Sequence, residues 1–332
     1  MAALRKDNDA LYRQARVVFD RGDGIRNWNA ADNPAISSAF NIFQQLADQK
    51  YGKAYYPLSI LYGGCQNIEE GQTRARHFTQ MALEWCLANQ TSEDVKLWCD
   101  LGDMHNPGFV GYGVTQSKEI AEAWYRKAAE QGDARGQREL GLMLHGNPQE
   151  NEEAFFWMRK AAEQGDSIVQ IILGDLYDLD AQCEEAVYWF RKAADQGDDY
   201  AQLSLGRMYV SGHGVEQDDA QAVYWFRKAA EQGDEEAQLN LGRMYAIGRG
   251  VEQDDAQAVY WFRKAAEQDN VMGQCALGIM YANGRGVEQD DERALSWFND
   301  AWFSECAEQG DEAQFNFDRM YEIGLGVLQD DA

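Results

Sequence analysis

One stretch of eighteen residues, VEQDDAQAVYWFRKAAEQ, occurs twice in this chain without a change, at 215–232 and at 251–268. Looser copies of its W-x-R-K-A-A-[ED]-Q core recur every 32 to 36 residues, beginning at Trp124, Trp157, Trp189, Trp225 and Trp261, with a decayed copy at Trp297. A second element, L-G-x-M-Y-x-x-G-x-G-V, lies between the copies and begins at Leu205, Leu241 and Leu277. Two elements at this period are typical of a solenoid of helix pairs, in which each repeat buries its apolar face only against its neighbours.

Each element carries the signals of a helix. Asp198 precedes the second element and Gly212 follows it, and these residue types commonly begin and end helices. In the first element, the apolar residues recur at i, i+3, i+4 and i+7, as on one face of a helix: Ala222, Trp225, Phe226 and Ala229. We call the L-G element helix A and the W-x-R-K element helix B. The chain is predicted to be all-α, with nine A helices beginning near residues 4, 53, 94, 134, 167, 199, 235, 270 and 311, and eight B helices beginning near residues 35, 71, 117, 150, 181, 218, 254 and 290.

The paired motifs L-G-x-M-Y-x-x-G-x-G-V and A-x-x-W-F-R-K-A-A-E-Q-G-D resemble the Sel1-like repeat, a relative of the tetratricopeptide repeat. The resemblance is strong from about residue 97 to 332 and weak over 1–96, so we expect diverged helix pairs followed by recognisable repeats in one continuous solenoid. It implies a right-handed superhelix of antiparallel helix pairs that acts in protein–protein contacts. Such roles include adaptor, regulatory and assembly functions, and in some bacteria immunity against secreted toxins. Some members carry a cysteine pair in each repeat, a pattern that this sequence lacks.

The net charge of the chain limits the kinds of partner that it can bind. The formal net charge is −26, which argues against binding nucleic acid or anionic lipid through a basic face and favours a basic protein surface or simple solubility. No apolar run is long enough to span a membrane. The start, MAALRKDNDALYRQ, lacks the apolar segment of a signal peptide, so we expect a cytoplasmic protein, or a periplasmic one if a leader has been removed.

Residues for catalysis or metal binding do not form a recognisable motif. The six cysteines keep no fixed spacing and are expected to be small buried groups in a reducing compartment. The four histidines lie in different repeats, and His213 takes the loop position of Arg249 and Arg285, which we interpret as a solvated variant. The acidic E-Q-D-D loops lack the ligand pattern of a calcium site and are expected to cap helices. We therefore predict no enzyme activity, no metal and no cofactor.

Three nearly identical repeats allow a comparison inside one sequence. In their A helices the residues that stay fixed or nearly so are Ala201, Gln202, Leu205, Gly206, Met208 and Tyr209. The residues that change are Tyr200/Glu236/Met272, Leu203/Leu239/Cys275, Ser204/Asn240/Ala276, Arg207/Arg243/Ile279, Val210/Ala246/Ala282 and Ser211/Ile247/Asn283. At 100° per residue the changing set covers roughly 120° of arc. One face is therefore predicted to pack and the other, the variable A-helix face, to be free to differ.

The variable A-helix face corresponds to the surface that lines the concave groove in tetratricopeptide proteins. By that resemblance we expect it to bind a protein partner, whereas drift on a solvent-exposed surface is the competing explanation. The predicted contacts are Arg135, Arg138, Ile171, Tyr200, Leu203, Arg207, Glu236, Leu239, Arg243, Met272, Ile279, Phe315 and Arg319.

Two apolar irregularities stand outside the repeat pattern. Phe109 and Tyr112 lie in a long loop, and Trp302 with Phe303 lies in a lengthened region near the last B helix. They are either exposed contact residues or part of the core. The chain also stops where another helix B is due, and an open end predicts self-association there.

The sequence as a whole predicts a non-enzymatic solenoid that binds one protein partner, as a bacterial adaptor or inhibitor does; an immunity protein that masks a toxin is an example. An alternative is an acidic nucleic-acid mimic that occupies the DNA- or RNA-binding site of a basic protein. The mimic needs a continuous stripe of carboxylates, whereas the variable A-helix face carries arginines and aliphatic side chains.

Overall fold

The computed structural model describes residues 2–20, 34–63, 68–89, 94–108, 113–147 and 149–299. Within these ranges the regular structure is entirely helical, which confirms the all-α prediction. The A helices are α1 (Ala2–Asp20), α3 (Tyr55–Gly63), α5 (Val95–His105), α7 (Ala134–Leu144), α9 (Ser167–Leu179), α11 (Asp199–Ser211), α13 (Glu235–Ile247) and α15 (Val271–Asn283). The B helices are α2 (Pro34–Asp48), α4 (Ile68–Ala88), α6 (Lys118–Glu130), α8 (Asn151–Glu163), α10 (Cys183–Asp195), α12 (Asp219–Gln232), α14 (Asp255–Ala266) and α16 (291–299). One short 3-10 turn, Gly52–Ala54, precedes α3, and the ninth A helix, predicted near 311, lies outside the described residues.

The chain divides into two compact units, an N-terminal unit (Met1–Asp166) and a C-terminal unit (Ser167–Ala332). In each unit an A helix packs against the B helix that follows it. The core of the N-terminal unit is built around fully buried residues such as Phe43, Leu46 and Leu58. In the C-terminal unit a core cluster contains Phe262, Leu277 and Phe298, contributed by successive helices.

The helix ends follow the sequence signals. The carboxylate of Asp198 accepts a hydrogen bond from the N–H of Ala201 at 2.8 Å, and Asp218 accepts from Ala220 and Gln221 at 3.0 Å. These bonds satisfy N–H groups that an isolated helix start leaves without partners. At the other end of α11, Gly212 takes the left-handed conformation with φ of 71°, which costs glycine little. The first aspartate of the E-Q-D-D loop therefore caps helix B, as Asp218 and Asp254 do.

A small residue on helix A accepts an aromatic ring from helix B. A Cβ atom added to Gly206 would lie 2.4 Å from the ring of Phe226, and one added to Gly242 would lie 2.6 Å from the ring of Phe262. No side chain fits at these distances, so the glycine sets how closely α11 approaches α12 and α13 approaches α14. The L-G motif is thus a packing motif.

Glutamines join neighbouring repeats. The side-chain amide of Gln232 donates to Oε1 of Gln202 and to the carbonyl of Gly197, both at 2.9 Å. Gln268 makes the matching bonds to Gln238 and Gly233 one repeat later. The buried amide of each acceptor also donates to the end of a B helix, as Gln238 does to Ala230. A repeated bond of this kind satisfies a polar group that burial would otherwise penalise.

Candidate partner-binding surface

The variable A-helix face of the C-terminal unit exposes both apolar and charged side chains. Tyr200 is 44% exposed and Met272 is 47% exposed. Arg207 on α11 forms an ion pair with Glu236 on α13, which occupies the equivalent position to Tyr200 one repeat later. Arg243 is exposed on α13. Three successive A helices therefore contribute to this surface, which mixes a ring, a thioether and charges of both signs.

Two predicted contacts are wrong as surface residues. Leu203 is 3% exposed and Leu239 is 5% exposed, and Leu239 belongs to the core cluster of its unit. Ile279 and Ile171 are half-buried, and Ile279 packs against the same core as Leu239. These positions vary between repeats because neighbouring core residues accommodate different shapes, and burial rather than exposure explains their apolar character.

The predicted contacts on α7 are held inside the N-terminal unit. Arg135 pairs with Asp100 at 3.1 Å and with Asp103. Arg138 pairs with Asp166 at 2.8 Å and with Glu139 at 3.1 Å. Both guanidinium groups are mostly buried, so their donors are committed to internal carboxylates. We correct their assignment from partner contacts to structural residues.

The carboxylates that hold Arg135 form a buried ionic cluster. Asp100 also pairs with Arg16 at 3.0 Å, and both of these side chains are almost fully buried. Burial alone would raise the pKa of Asp100, but Arg16 and Arg135 hold it below its ordinary value. Burial raises the pKa of Asp103 to about 6, against the opposing charge of Arg135. The cluster balances its charges internally, as buried ions require.

Two tyrosines complete this cluster. The hydroxyl of Tyr56 donates to Oδ2 of Asp103 at 2.7 Å, and that of Tyr125 donates to Oδ1 at 2.8 Å. Burial raises the pKa of both hydroxyls, so they remain protonated donors at neutral pH. The cluster lacks a solvent-facing nucleophile and joins α1, α3, α5, α6 and α7; its geometry is that of a structural network.

A cleft of about 210 Å³ opens on the variable A-helix face between α9 and α11. Its lining includes Asp175, Tyr200, Arg207 and His213, and the hydroxyl of Tyr200 donates to Oδ1 of Asp175 at 2.9 Å. Desolvation raises the pKa of Asp175 above its ordinary value. The cleft brings together two predicted contacts, Tyr200 and Arg207, with Asp175 and His213.

A compact group of side chains lies at the edge of the cleft, and we call it the Asp–Cys–His cluster: Asp178, Cys183 and His213. Nε2 of His213 lies 2.9 Å from Sγ of Cys183 and 3.3 Å from Oδ1 of Asp178. His213 is therefore more than a solvated loop residue. Sequence reasoning missed the cluster because its members lie on three elements. The available signal was that Cys183 and His213 depart together from the residues of the following repeats.

A row of half-exposed rings on the B helices was also missed. Tyr188, Tyr224 and Tyr260 stand just before the buried tryptophans of α10, α12 and α14, and each is exposed. Nζ of Lys192 lies 5.1 Å from the ring of Tyr188, and Lys228 lies 4.9 Å from that of Tyr224. At such distances a lysine interacts favourably with the ring face. The repeated Y-W pair was the sequence signal for this row.

Six predicted residues lie outside the described ranges: Phe109, Tyr112, Trp302, Phe303, Phe315 and Arg319. The same holds for the end of the chain, so self-association there stays a prediction. Among the described helices, none is both long and apolar enough to cross a bilayer.

The repeat motifs, the glycine–aromatic packing and the glutamine links define a class of helical repeat protein. The family model for the Sel1 repeat matches residues 99–133, 134–166, 171–198, 199–234, 235–270 and 271–301. These matches cover more than half of the chain, so the protein belongs to the Sel1 repeat family. Sel1 repeat proteins mediate protein–protein interactions.

Solved structures show the same architecture. A Sel1 repeat protein from Oxalobacter formigenes is 27% identical with a TM-score of 0.59, over 96% of this chain and 88% of that one. The protein c5321, described as a protective antigen of uropathogenic Escherichia coli strains with an SLR fold, is 28% identical with a TM-score of 0.57, over 97% of this chain and 74% of that one. A comparison with curated proteins finds no match.

Proposed function

We propose that the variable A-helix face of the C-terminal unit binds one partner protein and that binding, without catalysis, is the protein's function. The observation that carries the proposal is the exposure of Tyr200 and Met272 beside the charged side chains of Arg207, Glu236 and Arg243. Aromatic, methionine and arginine side chains are enriched at protein interfaces. Their neighbours at Leu203 and Leu239 are buried and keep the A helices in place.

The charges of this face favour a protein partner over the nucleic-acid-mimic alternative. A mimic presents carboxylates in a row, whereas Arg207 and Arg243 occupy the same position of consecutive A helices. The chain as a whole has a net charge of −26, which would draw a basic partner and repel nucleic acid. A face with both charges and apolar groups attracts a partner and also fixes the position in which the partner binds.

We propose further that the protein is a bacterial adaptor or inhibitor that masks its partner; an immunity protein against a toxin is one such case. Support for a bacterial setting comes from the two similar solved structures, which are both from bacteria. An inhibitory role predicts that the partner's activity falls in proportion to the amount of complex that forms.

The test is a pull-down from the source organism with matched baits. R243E/M272D removes one charge and one apolar contact from the variable A-helix face. K264E makes the same charge change at an exposed position on α14 and serves as the control. We expect the wild type and K264E to recover the same partner. R243E/M272D should recover at least about tenfold less of it, which corresponds to a loss of about 1.4 kcal/mol of binding free energy. Equal recovery by all three baits would exclude this face.

A charge swap separates surface recognition from folding. R207E/E236R keeps an ion pair between α11 and α13 but reverses its direction. The pair is about half exposed, and exposed pairs contribute little to stability. We expect an unchanged unfolding midpoint and weaker partner binding; unchanged binding would show that neither side chain contacts the partner.

We propose a cytoplasmic location. Cys86, Cys99 and Cys183 are free cysteines, which suits a reducing compartment. Cell fractionation tests this: release of the protein by osmotic shock would place it in the periplasm instead.

A further inference from the structure

The loops that follow α11, α13 and α15 each rest on the helix B of the repeat before. The second glycine of the G-x-G loop makes the contact: a Cβ on Gly250 would lie 2.1 Å from the carbonyl oxygen of Asp219, and one on Gly286 would lie 2.2 Å from that of Asp255. Gly214 has the same relation to Cys183, at 2.2 Å. The three junctions therefore share one backbone geometry.

Two of these junctions are closed by the same ion pair. The guanidinium of Arg249 pairs with Oδ1 of Asp219 at 2.8 Å and donates to the carbonyl of Val210 at 3.0 Å. The guanidinium of Arg285 pairs with Asp255 at 2.6 Å and donates to Ala246 at 2.8 Å. In each case the arginine of the loop meets the first residue of a helix B and the last turn of the preceding helix A.

The remaining junction has different chemistry at all three positions. His213 stands where the others have arginine, Cys183 where they have aspartate, and Asp178 at the position of Val210 and Ala246. The backbone is unchanged, since the N–H of His213 donates to Met208 at 3.0 Å as that of Arg249 does to Met244. An ion pair between repeats has been replaced by imidazole, thiol and carboxylate groups.

The three groups converge on one point. Their nearest ligand atoms all lie within 4.8 Å of one another. A tetrahedral zinc ion with bonds of about 2.0–2.3 Å places its ligand atoms roughly 3.3–3.6 Å apart. The distance of 3.3 Å between Nε2 of His213 and Oδ1 of Asp178 matches this spacing. The distance of 2.9 Å between Nε2 and Sγ of Cys183 is shorter, so these two atoms must move apart by a few tenths of an ångström to bind the ion.

The same geometry disfavours a catalytic triad. A triad uses both ring nitrogens, one toward the nucleophile and the other toward the acid that orients the ring. Here Sγ of Cys183 and Oδ1 of Asp178 both approach Nε2 of His213. Two groups that face one nitrogen suit a shared ion better than a relay of protons.

We propose that Asp178, Cys183 and His213 bind a zinc ion, with water as the fourth ligand. Thiolate and imidazole ligands favour zinc over calcium or magnesium, which prefer oxygen alone. On binding, Cys183 releases its proton to solvent and ligates as the thiolate. The ion takes the place that the Arg–Asp pair has in the next two junctions, holding the loop of one repeat to the helices of the repeat before it. This inference goes beyond the proposed partner binding and does not depend on it.

Cobalt titration tests the site, because cobalt(II) occupies zinc sites and a thiolate ligand gives it a charge-transfer band in the near ultraviolet. The matched variant is C183D/H213R, which installs the ion pair of the neighbouring junctions and so keeps a junction that this fold already uses. It leaves the other five cysteines in place as an internal control.

We expect the wild type to bind one cobalt ion, show the thiolate band and release the cobalt when zinc is added. C183D/H213R should lose the band and bind at least about 100-fold more weakly, since even indirect partners of a ligand are worth about 10–100-fold in affinity. Circular dichroism should show the same helix content in both. A wild type that binds no cobalt, or a variant that binds it as tightly, would overturn the proposal.

Discussion

Asp100 is the residue whose loss should affect the N-terminal unit most. It lies buried between two guanidinium groups, those of Arg16 and Arg135. Asp100→Ala removes the carboxylate that both guanidinium groups share, and breaking a buried ion pair typically costs about 3–5 kcal/mol. Urea unfolding should show this loss, whereas the exposed Glu152→Ala on α8 should stay within about 0.5 kcal/mol of the wild type. A small effect of Asp100→Ala would mean that water reaches Arg16.

Asp103, one turn further along α5, should make stability depend on pH. Its pKa in the folded protein is about 6, above the ordinary 3.8, so the folded state binds a proton more tightly than the unfolded chain. The stabilisation is complete below about pH 4 and is lost as the pH rises through 6. We expect Asp103 to contribute about 1 kcal/mol more stability at pH 5 than at pH 7.

The measurement is the difference between wild type and Asp103→Asn in urea unfolding at both pH values. The difference is needed because burial also raises the pKa of Asp175 and Asp198, which act in the same direction. A difference that does not change with pH would show that Asp103 stays ionised, held by Arg135 and its two tyrosine donors.

At the scale of helices, the glycine of the L-G motif sets the distance between A and B. Gly206→Ala places a methyl group 2.4 Å from the ring of Phe226, which must move. Overpacking of this kind costs about 1–3 kcal/mol. The double variant Gly206→Ala/Phe226→Leu makes room for the methyl, so we expect it to be less destabilised than the sum of the two single changes. Simple additivity in thermal or urea unfolding would contradict direct contact as the cause.

Much of the structure at the scale of helices was predictable from local sequence. The caps at Asp198 and Gly212 and the helix phase of Trp225 and Phe226 depend on residues close together in the chain, and the structure confirms them. The variable A-helix face was predicted less well. A helical arc gives the direction of each side chain but not what lies in that direction, and Leu203 and Leu239, at the edge of that arc, are buried.

For the whole molecule, the net charge of −26 should make folding sensitive to salt. The compact state brings like charges closer than the unfolded chain does, and this self-repulsion is screened within about 10 Å at 0.1 M salt. We expect the melting temperature to rise as sodium chloride increases from about 10 mM to about 200 mM. A fall over this range would show that ion pairs such as Arg16–Asp100 dominate over the general repulsion.

The sequence by itself determined the repeat, the all-α class, the family and the caps of helices such as α11 and α12. These follow from periodicity and from bonds between residues close together in the chain, which the repeats from about residue 97 onward show. The tertiary structure decided which variable residues are buried, that Arg135 and Arg138 are held by internal carboxylates, and that Asp178, Cys183 and His213 meet. Those facts depend on how one repeat lies against another, because side chains about thirty residues apart become neighbours only when the repeats stack.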